Sequence, residues 1–102
     1  MNPLVQSIRS IFQNCIAIVE AKNADYSSQA NPFANFEHCE RLHVPAHVGI
    51  LIRVQDKIAR LENLLSIGAA APKVQDETID DTIDDAINYL AILRAKRKTP
   101  GS

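Results

Sequence analysis

The stretch PAHVGILIRVQDKIARLENLL, residues 45–65, decides the fold class. Its large aliphatic residues recur every three or four positions, which is the spacing that places side chains on one face of an α-helix. Pro45 suits the first turn of such a helix, and glycine, here Gly68, commonly follows the end of one. The pattern predicts an amphipathic helix over residues 45–68. Its apolar positions are Val48, Leu51, Val54, Ile58, Leu61 and Leu65.

The same spacing occurs on both sides of this stretch. It predicts one helix over residues 3–22, where Asn2 can cap the free amides, and another over residues 75–97. Between them we expect a loop at 23–32, a short helix at 33–42 and a connector at 69–73. No stretch shows the sustained alternation of a half-buried strand. The prediction is an all-α fold, a small antiparallel bundle of three long helices and one short helix.

Length and charge limit the classes of protein that fit. The 102 residues suffice for one domain, which we place at residues 1–98 with a disordered tail at 99–102. A chain of this size buries only about 60–65% of its unfolded surface, so we expect a homo-oligomer to add buried area. The 11 basic and 12 acidic residues give a formal net charge of -1. This balance provides no bulk attraction to duplex nucleic acid or to an anionic membrane.

The location of the protein is also predicted from what the sequence lacks. Two cysteines are too few for a disulfide framework, and the N-terminus has no signal-peptide pattern. No apolar segment reaches the roughly 20 residues that a membrane-spanning helix needs. We therefore expect a cytoplasmic protein without a membrane partner, in the host cytoplasm if the chain is viral.

A row of acidic residues occupies the start of the last predicted helix. Residues 76–85 hold half of the acidic groups of the chain, and Glu77, Asp81 and Asp85 recur every four positions, followed by Asn88. Like charges at this spacing repel, and Mg²⁺ is a natural compensator because it binds carboxylate and phosphate oxygens. The alternative is a solvated face whose first acids favour the positive end of the helix dipole.

The helix predicted over residues 45–68 carries a second polar stripe. Arg53, Asp56, Lys57 and Arg60 lie at i, i+3, i+4 and i+7, on one flank of the helix. Arginine offers a fork to phosphate oxygens and lysine a compact charge, so the stripe suits a nucleotide polyphosphate. A surface row of ion pairs explains the same spacing.

Two further groups of residues have alternative explanations. Lys22, Asp25 and Tyr26 provide a cation, an acceptor and a ring on which a base could stack, as could Phe33 or Phe36, although packing explains the rings equally simply. Four potential zinc ligands also lie close together in the chain, but Pro45 interrupts the helical spacing that they need. These ligands are His38, Cys39, His43 and His47.

Three motifs in this order resemble the phage and prophage proteins called nucleotide modification associated domain, type one. The motifs are KNADY at 22–26, IRVQDKIAR at 52–60 and DETIDDTIDDAINY at 76–89, and the resemblance covers about residues 11–95. It implies an all-helical protein of phage nucleotide handling, and the acidic helix is similar to that of MazG-type nucleoside triphosphate pyrophosphohydrolases. The residues that it implies as functional are Lys22, Asp25, Tyr26, Arg53, Asp56, Lys57, Arg60, Glu77, Asp81, Asp85 and Asn88.

The sequence departs from these families at two points. Ser27 follows the tyrosine where the phage family usually has glycine, and Glu20 has no partner in a Glu-x-x-Glu pair of the MazG type. Glu37 and Glu40 do have that spacing, in the predicted short helix.

The first functional hypothesis is Mg²⁺-dependent hydrolysis of a nucleoside triphosphate or modified nucleotide. Glu77, Asp81 and Asp85 would hold the metal, Arg53, Lys57 and Arg60 would neutralise the leaving group, and the catalytic residues would be Asp81 and Asp56, the latter orienting water. The second is a non-catalytic sponge that sequesters a nucleotide immune signal, linear or cyclic, to counter host antiphage defence. A third is a helical structural protein whose charged stripes pair across an oligomer interface.

Overall fold

The computed structural model describes residues 2–26, 33–66 and 72–98, with side chains described except at 23–26 and 72–77. These residues form four α-helices and one 3-10 helix and contain no strand, which confirms the predicted all-α class. The helices are α1 (Pro3–Tyr26), α2 (Ala34–Glu37), the 3-10 helix (His38–Leu42), α3 (Ala46–Leu64) and α4 (Pro72–Arg97). No described helix combines the length and apolar character required to cross a bilayer. The predicted disordered tail at 99–102 lies outside the described residues.

α1 begins where the sequence predicts and ends later. The Leu4 amide donates to Oδ1 of Asn2 over 2.8 Å, so the predicted asparagine cap is confirmed. The helix continues to Tyr26, and the prediction of a loop from residue 23 is therefore wrong for four residues. Ala21 and Ala24 are strong helix formers, which explains why the helix outlasts the apolar pattern.

The predicted short helix is two helices with different hydrogen-bonding patterns. α2 passes directly into the 3-10 helix, which ends at His43 in the left-handed region, with φ 64°. The His43 amide donates to the Glu40 carbonyl over 3.0 Å and closes the last turn. Pro45 then precedes α3 with φ -58° and ψ 146°, so it lies one position before the helix, whereas we predicted it within the first turn.

The connection between α3 and α4 also differs from the prediction. α3 ends at Leu64 and not at Gly68, because the Ser66 amide donates to the Asn63 carbonyl over 3.4 Å instead of continuing the helical pattern, and the Ser66 hydroxyl donates to the same oxygen over 2.8 Å. Gly68 itself lies outside the described residues. α4 begins at Pro72 rather than residue 75, since proline fits the first helical position without losing a hydrogen bond.

The core is thin and lies mainly between α3 and α4. Ile50 is fully buried, and Ala46, Val54 and Ala86 are nearly so. α1 packs against α4 through Cys15, which is 2% exposed and whose thiol points to the Asp84 carbonyl at 3.9 Å. Burial raises the pKa of this thiol and the nearby Asp84 carboxylate adds to the effect, so Cys15 is a packing residue and not a nucleophile.

Candidate functional site

A cavity of about 680 Å³ lies where α1, α2, the 3-10 helix, α3 and α4 come together. Its wall combines charged, amide and aromatic side chains. The polar residues are Lys22, Asn35, Arg53, Asp85 and Asn88, and the rings are Phe33, Phe36 and Tyr89. A volume in the range of about 300–1,000 Å³, with a few polar groups among apolar ones, is typical of small-molecule sites.

The charges at the cavity are predominantly positive. Lys57 Nζ lies 3.2 Å from Oδ2 of Asp85, and Lys22 Nζ lies 3.9 Å from Oδ1 of the same carboxylate. Arg53 lines the cavity as well. Two cations therefore contact one carboxylate and a third, Arg53, lines the same cavity, although the chain as a whole has a net charge of -1. Such a local excess favours an anionic ligand.

The aromatic side of the cavity is built from α2 and α4. The rings of Phe36 and Tyr89 meet edge to face, with centroids 6.1 Å apart and planes at 87°. Lys96 Nζ lies 5.1 Å from the centroid of the Phe33 ring and 3.0 Å from Oε2 of Glu37. Because the Lys96 side chain is only 9% exposed, these contacts fasten α2 to the C-terminal half of α4.

α4 presents one face to the cavity, and the position of this face determines which member of the predicted acidic row reaches the cavity. Asp85, Asn88, Tyr89 and Ile92 line the wall at i, i+3, i+4 and i+7. Asp81 precedes this face by about 6 Å along the helix axis and is exposed. The row therefore reaches the cavity at its last member and extends away from it. The side chain of Glu77 lies outside the described residues.

The predicted magnesium set is described only in part, because the side chain of Glu77 lies outside the described residues. Where side chains are described, no three His, Cys, Asp or Glu residues are grouped so that they could hold a metal, and this includes the four potential zinc ligands. The Asp85 carboxylate already contacts two ammonium groups. Among the described residues no second carboxylate joins Asp85 in a cluster of three, and magnesium binding stays a prediction.

The polar stripe of α3 divides into two parts. Arg53 lines the cavity, and Lys57 contacts it through Asp85, so these two predicted residues are brought together. Asp56 and Arg60 are exposed and do not line the cavity. Arg60 lies about 10 Å beyond Arg53 along the axis, and Asp56 is turned about 60° from it around the helix. The two charged stripes thus meet within one chain, through Lys57 and Asp85.

The end of α1 contributes one predicted residue that the structure describes. Lys22 lines the cavity, whereas the side chains of Asp25 and Tyr26 lie outside the described residues. Sequence reasoning missed Asn35 and Tyr89. Tyr89 could have been found because it follows Asp85 by four residues on the same face, but Asn35 depends on how α2 docks, which no spacing indicates.

Gly49 and Cys39 face each other in the cavity wall. The Cys39 thiol donates to the Phe36 carbonyl over 2.7 Å and lies near the Pro45 carbonyl at 3.7 Å. A Cβ atom at Gly49 would lie 2.6 Å from this sulfur. Glycine therefore allows the 3-10 helix to lie close against α3, at a position where alanine would favour the helix itself.

A double-mutant cycle tests this contact. Gly49→Ala is expected to lower the free energy of unfolding by about 1–3 kcal/mol, because the sulfur must move away from its carbonyl partners. In a Cys39→Ala background the same substitution should instead raise the free energy of unfolding by about 0.5–1 kcal/mol, because alanine has a higher helix propensity than glycine. Urea unfolding followed by circular dichroism measures both values. Effects of the same sign in the two backgrounds would show that the Cys39 sulfur does not restrict which side chain residue 49 can carry.

Comparison with known proteins gives no further assignment for this site. No family model, no curated protein sequence and no solved structure matches the chain. The resemblance to the phage nucleotide domain stays a prediction.

Proposed function

We propose that this protein binds a nucleotide in the cavity between its helices. The observation that carries the proposal is the presence, in one cavity wall, of two cations, two amides and three aromatic rings. A nucleotide is the small-molecule class that uses all three, since it joins anionic phosphates to a flat base with polar edges. The sequence resemblance to proteins of phage nucleotide handling supports the same ligand class.

The positions of the side chains suggest how the ligand divides between them. Arg53 and Lys22 bind the phosphates, with the arginine fork supplying two parallel hydrogen bonds. The rings of Phe36 and Tyr89 provide an apolar surface for the base. Asn35 and Asn88 donate to and accept from the base edge, and Asp85 accepts a hydrogen bond from a ribose hydroxyl.

Binding without hydrolysis is better supported than catalysis. Asp85 is the carboxylate that lines the cavity among the described residues, and two lysines already contact it. Asp56 and Asp81, the predicted catalytic residues, are exposed away from the cavity. We therefore favour the sponge hypothesis, in which a phage-type protein in the host cytoplasm lowers the free concentration of a nucleotide signal and counters antiphage defence.

The relation of α3 to α4 is part of the proposal. Lys57 contacts Asp85, whereas Gly49, two turns earlier in α3, shares the cavity wall with Ile92, two turns later in α4. This order supports the predicted antiparallel packing of the two helices, in which α3 brings Arg53 opposite Asn88.

The experiment is incubation with a panel of linear and cyclic nucleotides, with and without Mg²⁺. The protein is then separated, denatured, and its ligand identified by mass spectrometry. Depletion of one nucleotide from solution and its intact recovery in both conditions is the expected result. Conversion to monophosphate and pyrophosphate only with Mg²⁺ would establish hydrolysis instead, and failure to deplete any nucleotide would refute the proposed binding.

A further inference from the structure

The first four turns of α1 carry an apolar face that the chain leaves uncovered. Its members are exposed by 41–65%, although they share one side of the helix with the buried Cys15. Among the described residues α1 contacts α4 and no other helix, and its hydrogen bonds and ion pair with α4 are made by Asn14, Cys15 and Lys22. We name this surface the α1 apolar face. It consists of Leu4, Val5, Ile8, Ile11, Phe12 and Ile16.

The chain as a whole exposes more surface than a compact monomer of its mass. The chain exposes 7747 Å², whereas a compact monomer of 11.3 kDa exposes about 5,700 Å². Its radius of gyration is 15.7 Å, against about 13 Å for a compact domain of this length. The excess of about 2,000 Å² belongs to the whole chain, of which the α1 apolar face is one part, and it is more than the roughly 800 Å² that one subunit contributes to a standard interface.

We propose that the α1 apolar face binds the same face of a second copy of this chain, around a twofold axis. The described residues leave it exposed, and the segments outside the described ranges contain two large apolar residues, Met1 and Ile67. Self-pairing meets little repulsion, since Arg9 is the one charged residue from 3 to 19. The same lack of basic residues disfavours a lipid surface, which selects helices with a Lys- and Arg-rich polar face.

The test is the mass of the purified chain by sedimentation equilibrium across micromolar concentrations. We expect twice the 11.3 kDa of one chain, or an even multiple of it. The double variant Ile8→Asp/Phe12→Asp should sediment as a monomer, because it places charges in the centre of the interface. Ser10→Asp/Gln13→Asp adds the same charge to the exposed polar side of α1 and should retain the wild-type mass.

A second measurement does not depend on any variant. Amide hydrogen exchange of residues 4–16 in the wild-type chain should slow as the protein concentration rises, because an unpacked helix end opens readily. A wild-type monomer would overturn the proposal. So would a dimer that Ile8→Asp/Phe12→Asp leaves intact, or sedimentation of monomers with anionic vesicles. None of these outcomes depends on whether the cavity binds a nucleotide.

Discussion

Arg53→Ala is expected to weaken nucleotide binding by about 10- to 100-fold, the effect of losing a charge-assisted hydrogen bond worth roughly 1.5–3 kcal/mol. Arg53 lines the cavity from α3, and the aromatic pair of Phe36 and Tyr89 lines the same cavity. Its loss removes the one guanidinium of the wall and leaves Lys22 as the lining cation. Isothermal titration calorimetry with the nucleotide recovered from the panel gives the change in Kd.

Two other arginine variants make this result specific. Arg94→Ala removes an exposed arginine of α4 that does not line the cavity, and its Kd should stay within about twofold of wild type. Arg60→Ala tests whether the ligand binds along the whole predicted stripe or only in the cavity. The family resemblance implicates Arg60, whereas the structure places it outside the cavity. A larger loss at Arg60 than at Arg53 would mean that the ligand lies along the outer face of α3.

Ile50→Ala is expected to destabilise the fold by about 2–5 kcal/mol, because it leaves a cavity at a large side chain that, among the described residues, has no exposure at all. A domain of this length has a total stability of about 5–15 kcal/mol. At roughly 4–8 °C per kcal/mol, the melting temperature should fall by more than about 8 °C. Thermal unfolding followed by circular dichroism measures the shift.

Ile52 provides the matched control for this core residue. It has the same side chain two positions later in α3 and is 50% exposed. Ile52→Ala should therefore cost less than about 1 kcal/mol. Equal losses at the two positions would contradict the assignment of Ile50 as the centre of the core between α3 and α4.

The helices could be predicted from the sequence because the patterns that indicate them are local. The apolar spacing of α1 and α3 and the Asn2 cap each depend on residues within a few positions of one another. The helix ends that were predicted wrongly also have local causes. Ser66 ends α3 by hydrogen bonds to the Asn63 carbonyl that compete with a glycine signal, and Pro72 starts α4 earlier than the apolar pattern indicates.

The candidate site could be predicted only in part, because it depends on contacts between segments that are distant in the sequence. Lys22, Arg53, Asp85 and Asn88 were predicted and do line one cavity. The Lys57–Asp85 and Lys96–Glu37 pairs each join residues 28 or more positions apart. The second pair docks α2 and so determines the position of Asn35. Nothing in helical periodicity specifies which faces of two helices meet, so these contacts follow from the packing of the helices and not from the sequence pattern.

The packing of α1 against α4 has a consequence for synthesis on the ribosome. Cys15 and its contact on Asp84 are 69 residues apart, and translation proceeds at about 5–20 residues per second. The first helix therefore waits roughly 3–14 s before its partner helix emerges, whereas α3 and α4 follow each other closely. α1 cannot dock progressively as the chain lengthens. It spends this interval with its apolar residues available to chaperones or to neighbouring nascent chains on the same message.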